Sequence, residues 1–203
     1  MRLYFVRHGE SQANLRREFS NTGSKHPLTE KGVAQARTLA AAFSAIPVAR
    51  IYSSPILRAT QTTHLLAEEV HAPVELNEAL REWSVGIYEG TTDALGWELH
   101  SQVQEDWFIR QKFDSRMPGG ESFNDIRERF LPFIEEIAQS SEAEDRNVVL
   151  VGHGGLFAAM LPVILTNVDF AFARSHGFSY TDYALAESRP DGLWCRVWCG
   201  VAL

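Results

Sequence analysis

The sequence predicts an α/β protein, a three-layer α/β/α sandwich with a mainly parallel sheet and a small cap insertion. Strand-like apolar runs alternate with helix-like segments along the chain, as they do when helices cover a parallel sheet. The first run, residues 1–6, is apolar on both alternations, which is typical of a strand buried on both faces. No internal repeat or break in composition indicates a second domain, so residues 1–203 are predicted to form one domain.

Helix starts are predicted from N-caps and from apolar stripes. Thr29 is a good N-cap for a helix whose apolar stripe ends at Phe43. Ser54 and Pro55 resemble a polar N-cap followed by proline at the first helical position, so the next helix is predicted to start there and to reach about Val70. The other predicted elements are helices at 97–113, 122–139 and 156–165, strands at 50–53, 74–76 and 148–151, strands from 183 and at 194–201, and an acidic loop at Glu142, Glu144 and Asp145.

Composition narrows the classes of function. With 45% hydrophobic and 22% charged residues, the chain has the composition of a soluble globular protein. The net charge of -7 argues against a nucleic-acid partner, which usually needs a basic stripe, but a local arginine cluster can still hold an anionic substrate. The sequence has no signal-like segment and no apolar run of membrane-spanning length. A cytoplasmic location, with no membrane and no nucleic-acid partner, is the expectation.

Two histidines follow predicted strands in similar glycine-rich surroundings. Arg7-His8-Gly9-Glu10 comes directly after the first strand, and Gly152-His153-Gly154-Gly155 follows the strand at 148–151. Open α/β sheets bind ligands at the carboxyl ends of their strands, and glycine lets a ligand approach the backbone closely. The sequence therefore predicts an active site where these two strand ends converge.

Five side chains are candidates for the chemistry at this edge. A neutral His8 imidazole can act as a nucleophile, and Arg7 beside it can hold an oxyanion. Arg58 falls in the first turn of a predicted helix, where an arginine is disfavoured unless an anion pairs with it. Its planar guanidinium suits a phosphate. Glu82, beside a tryptophan, is the candidate proton donor because partial burial raises the pKa of a carboxyl, and His153 completes the set.

Each of these residues has a structural alternative. Taken alone, a histidine in a glycine turn more often holds a loop, and an arginine or glutamate of this kind is more often solvated. A metal site made of His8, Glu10 and His153 is another alternative. His8 and Glu10 are two residues apart at a strand exit and tend to point to opposite sides, and no cysteine or aspartate completes a ligand set, so no metal is predicted. No cofactor is predicted either.

Six segments occur in an order that is known from one family. They are Arg7-His8-Gly9-Glu10-Ser11 with Asn14, Pro27-Leu28-Thr29-Glu30-Lys31-Gly32, Ser53-Ser54-Pro55 with Arg58-Ala59 and Gln61-Thr62, Leu80-Arg81-Glu82 with Gly86 and Glu89-Gly90, Pro118-Gly119-Gly120-Glu121-Ser122, and Gly152-His153-Gly154-Gly155. In these segments, which extend to about residue 160, the chain resembles the histidine phosphatase superfamily, in its phosphoglycerate-mutase-like branch.

The resemblance implies a role for each matched residue. His8 is the expected phosphorylated nucleophile, and Glu82 is expected to protonate the leaving oxygen and then to activate water. The expected phosphate pocket and substrate contacts are Arg7, Arg58, His153, Asn14, the Gly154 N–H, and the pair Thr22 and Gly23, which matches a Thr-Gly substrate contact of the family.

The resemblance also favours a phosphatase over a mutase. Mutases of the family carry a longer insertion between the acid and the last catalytic histidine, whereas residues 90–118 are a short segment inside the predicted cap at about 83–120. A metal-independent phosphatase acting on phosphomonoesters is therefore predicted. The alternatives are a cofactor-dependent phosphoglycerate-type mutase and a non-catalytic protein that binds a phosphorylated ligand.

The substrate is the least defined part of the prediction. A small phosphorylated metabolite is the expected partner, and a homodimer is an assembly that the sequence leaves open. Aromatic side chains are candidates for lining an apolar mouth, arginines for binding a second anionic group, and two residues after the last helix for closing the pocket. These candidates are Trp83, Tyr88, Trp97, Trp107 and Phe108, then Arg16, Arg17 and Arg110, and finally His176 and Tyr180.

Overall fold

The computed structural model describes residues 1–23, 25–139 and 146–203. The acidic loop predicted at Glu142, Glu144 and Asp145 lies outside the described residues. The strands are β1 (Arg2–Arg7), β2 (Val48–Ser53), β3 (Val74–Leu76), β4 (Asn147–Gly152), β5 (Tyr183–Arg189), β6 (Gly192–Trp198) and β7 (Val201–Ala202). The helices are α1 (Gln12–Arg16), α2 (Glu30–Phe43), α3 (Leu57–Val70), α4 (Ala94–Phe108), α5 (Phe123–Gln139), α6 (Gly154–Ile164) and α7 (Phe170–Ser175).

One sheet of seven strands runs through the protein in the order β3-β2-β4-β1-β5-β6-β7. The strands β3, β2, β4 and β1 pair in parallel, and β5, β6 and β7 extend the sheet antiparallel from the free side of β1. The predicted fold class is confirmed. Because β2, β4 and β1 are neighbours and run in one direction, their carboxyl ends lie side by side at one edge.

Helices cover both faces of the sheet and bury the two faces of β1 and β4. Leu3 and Phe5 of β1 lie in one hydrophobic core with side chains of α5 and α6. Tyr4 and Val6 lie in the other core with side chains of α2 and α3. Each fully buried side chain of this size contributes about 1.5–3 kcal/mol to folding. This burial on both faces explains why the first strand is apolar on both alternations.

Of two helix starts predicted from N-caps, the structure confirms one and contradicts the other. Thr29 is the N-cap of α2, and its hydroxyl accepts the Gly32 N–H, as predicted. The predicted start at Ser54 and Pro55 is wrong, since α3 begins at Leu57 with the extended residue Ile56 as its cap. The Ser54 hydroxyl is occupied by the N–H of Ile56 and by a histidine of the site, so it does not cap a helix.

Other element boundaries also differ from the prediction. The helix predicted at 97–113 is α4, which begins three residues earlier and ends at Phe108. Helix α6 begins two residues earlier than predicted, directly after His153. The tail strand predicted at 194–201 is interrupted, because Cys199 and Gly200 have positive φ and turn the chain between β6 and β7. The short helices α1 and α7 were not predicted, since five or six residues are too few to show an apolar stripe.

The predicted cap segment at about 83–120 contains a short 3₁₀ turn at Gly86–Tyr88, helix α4 and connecting loops. Trp83 and Trp107 from this segment are fully buried in the same core as Phe5. Large aromatic side chains of the predicted cap segment therefore pack into the hydrophobic core that contains Phe5 of β1. Among the described residues, no helix is long and apolar enough to cross a membrane.

Candidate active site

Two histidines meet at the carboxyl edge of the parallel strands. His8 directly follows β1, and its backbone N–H donates to the carbonyl of Gly152, the last residue of β4 (3.0 Å). His153 comes next in the chain, and the ring centroids of His8 and His153 lie 5.0 Å apart. The convergence predicted from the two glycine-rich strand exits is therefore present. Both side chains are buried, with 2% and 0% of their surface exposed.

The hydrogen bonds of His8 define its tautomer. Nδ1 lies 2.6 Å from the Gly9 carbonyl oxygen, which can only accept, so Nδ1 carries the proton. Nε2 then has the lone pair, and it accepts a hydrogen bond from Arg58 Nε at 2.9 Å. Burial, followed by the charges of Arg58 and Arg7, lowers the pKa of His8 well below its ordinary value. At neutral pH His8 is thus an unprotonated imidazole, as a nucleophile must be.

Arg58 joins the two histidines. Its Nη2 donates to His153 Nδ1 at 3.1 Å, and its Nη1 donates to the Ser20 carbonyl. Burial lowers the pKa of Arg58 to about 10, which still leaves the guanidinium charged at neutral pH. Arg58 is the second residue of α3, where the helix dipole disfavours a cation. A buried cation in this position is suited to an anionic ligand.

His153 is also held neutral, but in the opposite tautomer. A guanidinium can only donate, so Nδ1 of His153 is the acceptor and Nε2 carries the proton. Nε2 lies 2.8 Å from the Ser54 hydroxyl oxygen, which accepts a hydrogen bond from it. Burial and the Arg58 charge lower the pKa of His153 well below its ordinary value. Ser54 was not predicted as a site residue, although it lies in the Ser53-Ser54-Pro55 segment that carried the family resemblance.

Arg7 has an unused donor beside the histidines. Its Nη1 donates to the Phe178 carbonyl, and its guanidinium lies 4.3 Å from the ring centroid of Tyr180. Its Nε is buried and has no hydrogen-bond partner among the described residues. Buried donors are rarely left unpaired, so this N–H is available for a ligand oxygen. Gly154 keeps the place open, because a Cβ on it would lie 3.2 Å from both Arg7 Cδ and Arg7 Nε.

Glu82 is fixed by the start of α6. Its Oε2 accepts the Gly155 N–H at 3.0 Å, and its Oε1 accepts the Trp83 N–H at 3.2 Å. Burial raises the pKa of Glu82 above its ordinary value, and this effect outweighs the opposing charge of Arg58 and the two backbone hydrogen bonds. A carboxyl with a raised pKa can hold a proton closer to neutral pH and can donate it to a leaving oxygen.

The contact between Gly155 and Glu82 gives a testable prediction. A Cβ on Gly155 would lie 2.8 and 2.9 Å from the two Glu82 carboxylate oxygens, so Gly155→Ala must displace the carboxyl. With Glu82 as the predicted proton donor, we expect kcat/KM for a phosphomonoester to fall about tenfold, because a shift of about 1 Å in such a group is enough for a loss of this size or larger. Steady-state kinetics and the thermal unfolding midpoint of the variant test this. Unchanged kinetics in a folded variant would show that kcat/KM does not depend on the position of the Glu82 carboxyl.

The predicted substrate contacts divide into two groups. Asn14 lines the cavity next to His8, and its amide oxygen accepts both the N–H and the hydroxyl of Ser11, which leaves the NH₂ group for a ligand. Thr22 and Gly23 are exposed and are not among the described residues that line this cavity. Thr22 donates to the Glu89 carboxylate through its hydroxyl at 2.9 Å. A substrate contact at these two residues stays a prediction.

The cavity around the site has a volume of about 330 Å³. Its described lining combines most of the phosphate-pocket candidates, though not His153, with a cluster of aromatic rings and a few polar side chains. The lining residues are Arg7, His8, Ala13, Asn14, Glu18, Phe19, Ser20, Asn21, Arg58, Glu82, Trp83, Trp97, His100, Gln104, Gly154, Gly155, Ala158, Gly177 and Phe178.

The predicted mouth residues are only partly present in this lining. Trp83 and Trp97 line the cavity, but Trp107 is fully buried in the core, and neither Tyr88 nor Phe108 is among the described lining residues. Phe19, His100 and Gln104 also line the cavity, and none of them is predicted from the sequence. His100 and Gln104 could have been found from their spacing of three and seven residues after Trp97 on one helix.

The three arginines predicted as candidates for binding a second anion are not among the described residues that line the cavity. Arg110 pairs with Asp106 and Glu105 at 2.7 and 3.2 Å on the surface, and Arg16 and Arg17 are exposed and not among the described lining residues. Of the two residues proposed to close the pocket, Tyr180 packs against Arg7 (4.3 Å), and the His176 ring stacks on Phe172 at 4.2 Å.

The alternative metal site is not assembled in the structure. The Glu10 carboxylate accepts from the Thr29 hydroxyl at 2.9 Å and pairs with Lys31 Nζ at 3.3 Å, so it is engaged near the start of α2. Within the described residues, no group of three or more His, Cys, Asp or Glu side chains is arranged to hold a metal ion.

Comparison with known proteins gives a family match over nearly the whole chain. Residues 3–200 match the family described as the histidine phosphatase superfamily (branch 1). The chain is 34% identical over 200 residues to a protein of Gloeobacter violaceus named 2,3-bisphosphoglycerate-dependent phosphoglycerate mutase 2, covering 96% of this chain and 89% of the relative. It is 33% identical over 167 residues to a Hydrogenobacter thermophilus protein named "Putative phosphoserine phosphatase 2", covering 82% of this chain and 79% of the relative.

Solved structures resemble the chain over its full length. The mycobacterial glucosyl-3-phosphoglycerate phosphatase Rv2419c, solved as a complex with VO₃, is 26% identical and superposes with a TM-score of 0.76. The match covers 98% of this chain and 99% of that one. The shared architecture therefore extends from β1 to the last strands and includes the edge where the two histidines meet.

Proposed function

Since the chain belongs to the histidine phosphatase superfamily (branch 1), we propose that it is a metal-independent phosphatase that forms a phosphohistidine on His8. The family and the phosphatases among its relatives support phosphatase activity in general terms. The observation that carries the finer proposal is the hydrogen bonding of His8. The Gly9 carbonyl keeps the proton on Nδ1, so the Nε2 lone pair lies beside the buried Arg58 guanidinium.

Substrate binding places the phosphoryl group between two arginines. Among the described residues Arg7 Nε has no hydrogen-bond partner, and Arg58 donates to neutral imidazole nitrogens that are weaker acceptors than phosphate oxygens. The N–H of Gly154, at the N-terminus of the 11-residue helix α6, adds a donor where the helix dipole favours an anion. On binding, Arg58 Nε turns its hydrogen bond to a phosphate oxygen, which releases the His8 Nε2 lone pair.

The first transfer forms a bond from His8 Nε2 to phosphorus and breaks the bond from phosphorus to the ester oxygen. The leaving oxygen takes the proton of Glu82, so an alcohol departs and Glu82 becomes a carboxylate. Two guanidinium groups offset the charge on the transferring oxygens, and positioning with charge neutralisation is most of what phosphoryl transfer requires. With the charge offset by two arginines and the proton supplied by Glu82, the step requires no metal ion and no cofactor.

The second transfer regenerates the enzyme. The Glu82 carboxylate accepts a proton from water as the water oxygen attacks phosphorus, and the phosphorus–nitrogen bond returns its electron pair to Nε2. Inorganic phosphate leaves, and Glu82 is again protonated. The hydrogen bonds from the Gly155 and Trp83 N–H groups hold the carboxylate in place between the two steps.

The experiment compares hydrolysis with mutase activity. The protein is incubated with para-nitrophenyl phosphate in excess EDTA, and separately with a phosphoglycerate, with and without bisphosphoglycerate. We expect phosphate release that EDTA does not reduce, and no bisphosphoglycerate-dependent isomerisation. Isomerisation faster than phosphate release would support the mutase, and tight phosphate binding without turnover of any ester would support a binding protein.

A further inference from the structure

One face of α4 forms a wall of the cavity beyond the phosphate pocket. Trp97, His100 and Gln104 are spaced by three and four residues, so they project from one side of the helix, and all three line the cavity. None of them contributes to the chemistry proposed above. They lie where the group attached to the phosphate must be accommodated, because Arg7, Arg58 and His8 line the same cavity.

The wall is built of stacked aromatic rings. Phe19 and Trp97 stack with their centroids 4.0 Å apart and an interplanar angle of 20°. Trp83 and His100 stack at 4.6 Å, also at 20°. Trp97 is further fixed by its indole N–H, which donates to the Arg17 carbonyl at 2.9 Å. This rigid array of ring faces and edges is suited to packing against another flat ring.

The polar groups on this wall are neutral hydrogen-bonding groups. Burial lowers the pKa of His100 to about 4, so its imidazole is neutral at physiological pH and has one donor and one acceptor nitrogen. No hydrogen bond joins either nitrogen to another described residue. The Gln104 amide lies one turn further along the same face and also lines the cavity.

The charges around the cavity disfavour a second anion. Among the described lining residues, the only arginines or lysines are Arg7 and Arg58, and both belong to the phosphate pocket. Glu18 also lines the cavity, and hydrogen bonds from Lys25 and His26 lower the pKa of its carboxyl, so it is ionised. Lys25, 2.6 Å from Glu18, offsets this charge only from outside the lining, with 65% of its side chain exposed.

From this wall and this charge distribution, we propose that the preferred substrate is a phosphomonoester whose alcohol carries a planar ring and no second anionic group. The ring packs against Trp97 and His100, and Gln104 is placed to bond to polar substituents. The inference rests on the proposed phosphatase function and narrows it to one class of leaving group.

Three esters with alcohols of similar acidity test the proposal. Benzyl phosphate supplies the planar ring, cyclohexylmethyl phosphate supplies a ring of similar size that is not planar, and para-carboxybenzyl phosphate adds an anion. We expect kcat/KM for benzyl phosphate to exceed that for the cyclohexylmethyl ester about fivefold. It should exceed that for the carboxylated ester about tenfold, because of repulsion by Glu18. Equal values for the three esters would overturn the proposal.

Two variants separate the ring from the charge. Trp97→Leu should remove the preference for benzyl over cyclohexylmethyl phosphate while leaving the dissociation constant for inorganic phosphate unchanged. Glu18→Gln should raise kcat/KM for the carboxylated ester alone, and Glu98→Gln, on the exposed side of α4, is its matched control. A variant that changes all three esters equally would contradict the assigned role of its residue.

Failure of this inference can be told apart from failure of the proposed function. If none of the esters is hydrolysed, the phosphatase proposal fails. The dissociation constants of the three esters, measured by calorimetry, then still test whether the cavity prefers a planar ring without a second anion. If all are hydrolysed without preference, the phosphatase proposal stands and the substrate class is wrong.

Discussion

Replacing His8 with alanine is expected to lower kcat/KM for phosphomonoesters about 10,000-fold, which is the scale of loss when a covalent nucleophile is removed. The remaining arginines still bind the phosphoryl group, so the affinity for inorganic phosphate should change far less than turnover does. The physical reason is that, in the proposed complex, Arg58 Nε leaves His8 Nε2 for a phosphate oxygen, whereas Arg58 Nη2 keeps its hydrogen bond to His153. The nearest imidazole, His153, already accepts from Arg58 through Nδ1 and donates through Nε2.

The comparison needs a control for the loss of a histidine as such. The side chain of His64 is 75% exposed and pairs with Glu68 on the surface of α3, away from the proposed site, so His64→Ala should retain wild-type rates. Steady-state kinetics, with circular dichroism to verify folding, measure both variants. Similar activity in His8→Ala and in the wild type would rule out His8 as the nucleophile.

Replacing Glu82 with glutamine is expected to give the second largest effect. For alkyl phosphates we expect kcat to fall about 1,000-fold, within the range for loss of a general acid or base. For para-nitrophenyl phosphate the first transfer should suffer much less, because its leaving oxygen scarcely needs a proton. The second transfer still lacks a base, so the phosphorylated enzyme should accumulate and a burst of nitrophenol should precede slow turnover.

The pH dependence of the same variant follows from the sign of the pKa shift. Burial raises the pKa of Glu82, and the protonated form is the acid of the first transfer. In the wild type, kcat/KM for alkyl esters should therefore fall as the pH rises through that pKa. Because His8 has a lowered pKa, it stays unprotonated well below its ordinary titration range and should not limit the rate near pH 6. In Glu82→Gln the fall at higher pH should vanish. A variant that keeps this fall, with equal losses for alkyl and aryl esters, would contradict the role of Glu82.

Much of the central site could be predicted from local sequence. His8 and His153 follow strands that are apolar on both alternations, and neighbouring parallel strands bring their exits together. Arg58 could be placed near the start of α3, where a buried cation implies an anion. The helix start itself is predicted too early, because the Ser54 hydroxyl bonds to His153, far along the chain, and to the N–H of Ile56, which precedes the first helical residue.

The wall of the cavity depends on packing between distant segments. Phe19 lies on a loop after α1 and stacks on Trp97 of α4, a pairing that no local pattern specifies. Trp107 was predicted at the mouth, but it occupies the core because its indole N–H reaches the Ser115 carbonyl at 2.7 Å and satisfies its one donor there. Aromatic residues on one helix can thus be assigned to a core or to a cavity only when their tertiary partners are known.

The phosphohistidine itself is the most direct test of the proposed mechanism. Glu82→Gln is mixed with para-nitrophenyl phosphate, quenched in alkali during the burst, digested, and analysed by mass spectrometry. We predict one phosphoryl group on the peptide that contains His8, stable in alkali and lost in acid, and none on that peptide in a double variant that also carries His8→Ala. A burst of nitrophenol with an unmodified His8, or with the phosphoryl group on another residue, would contradict the mechanism.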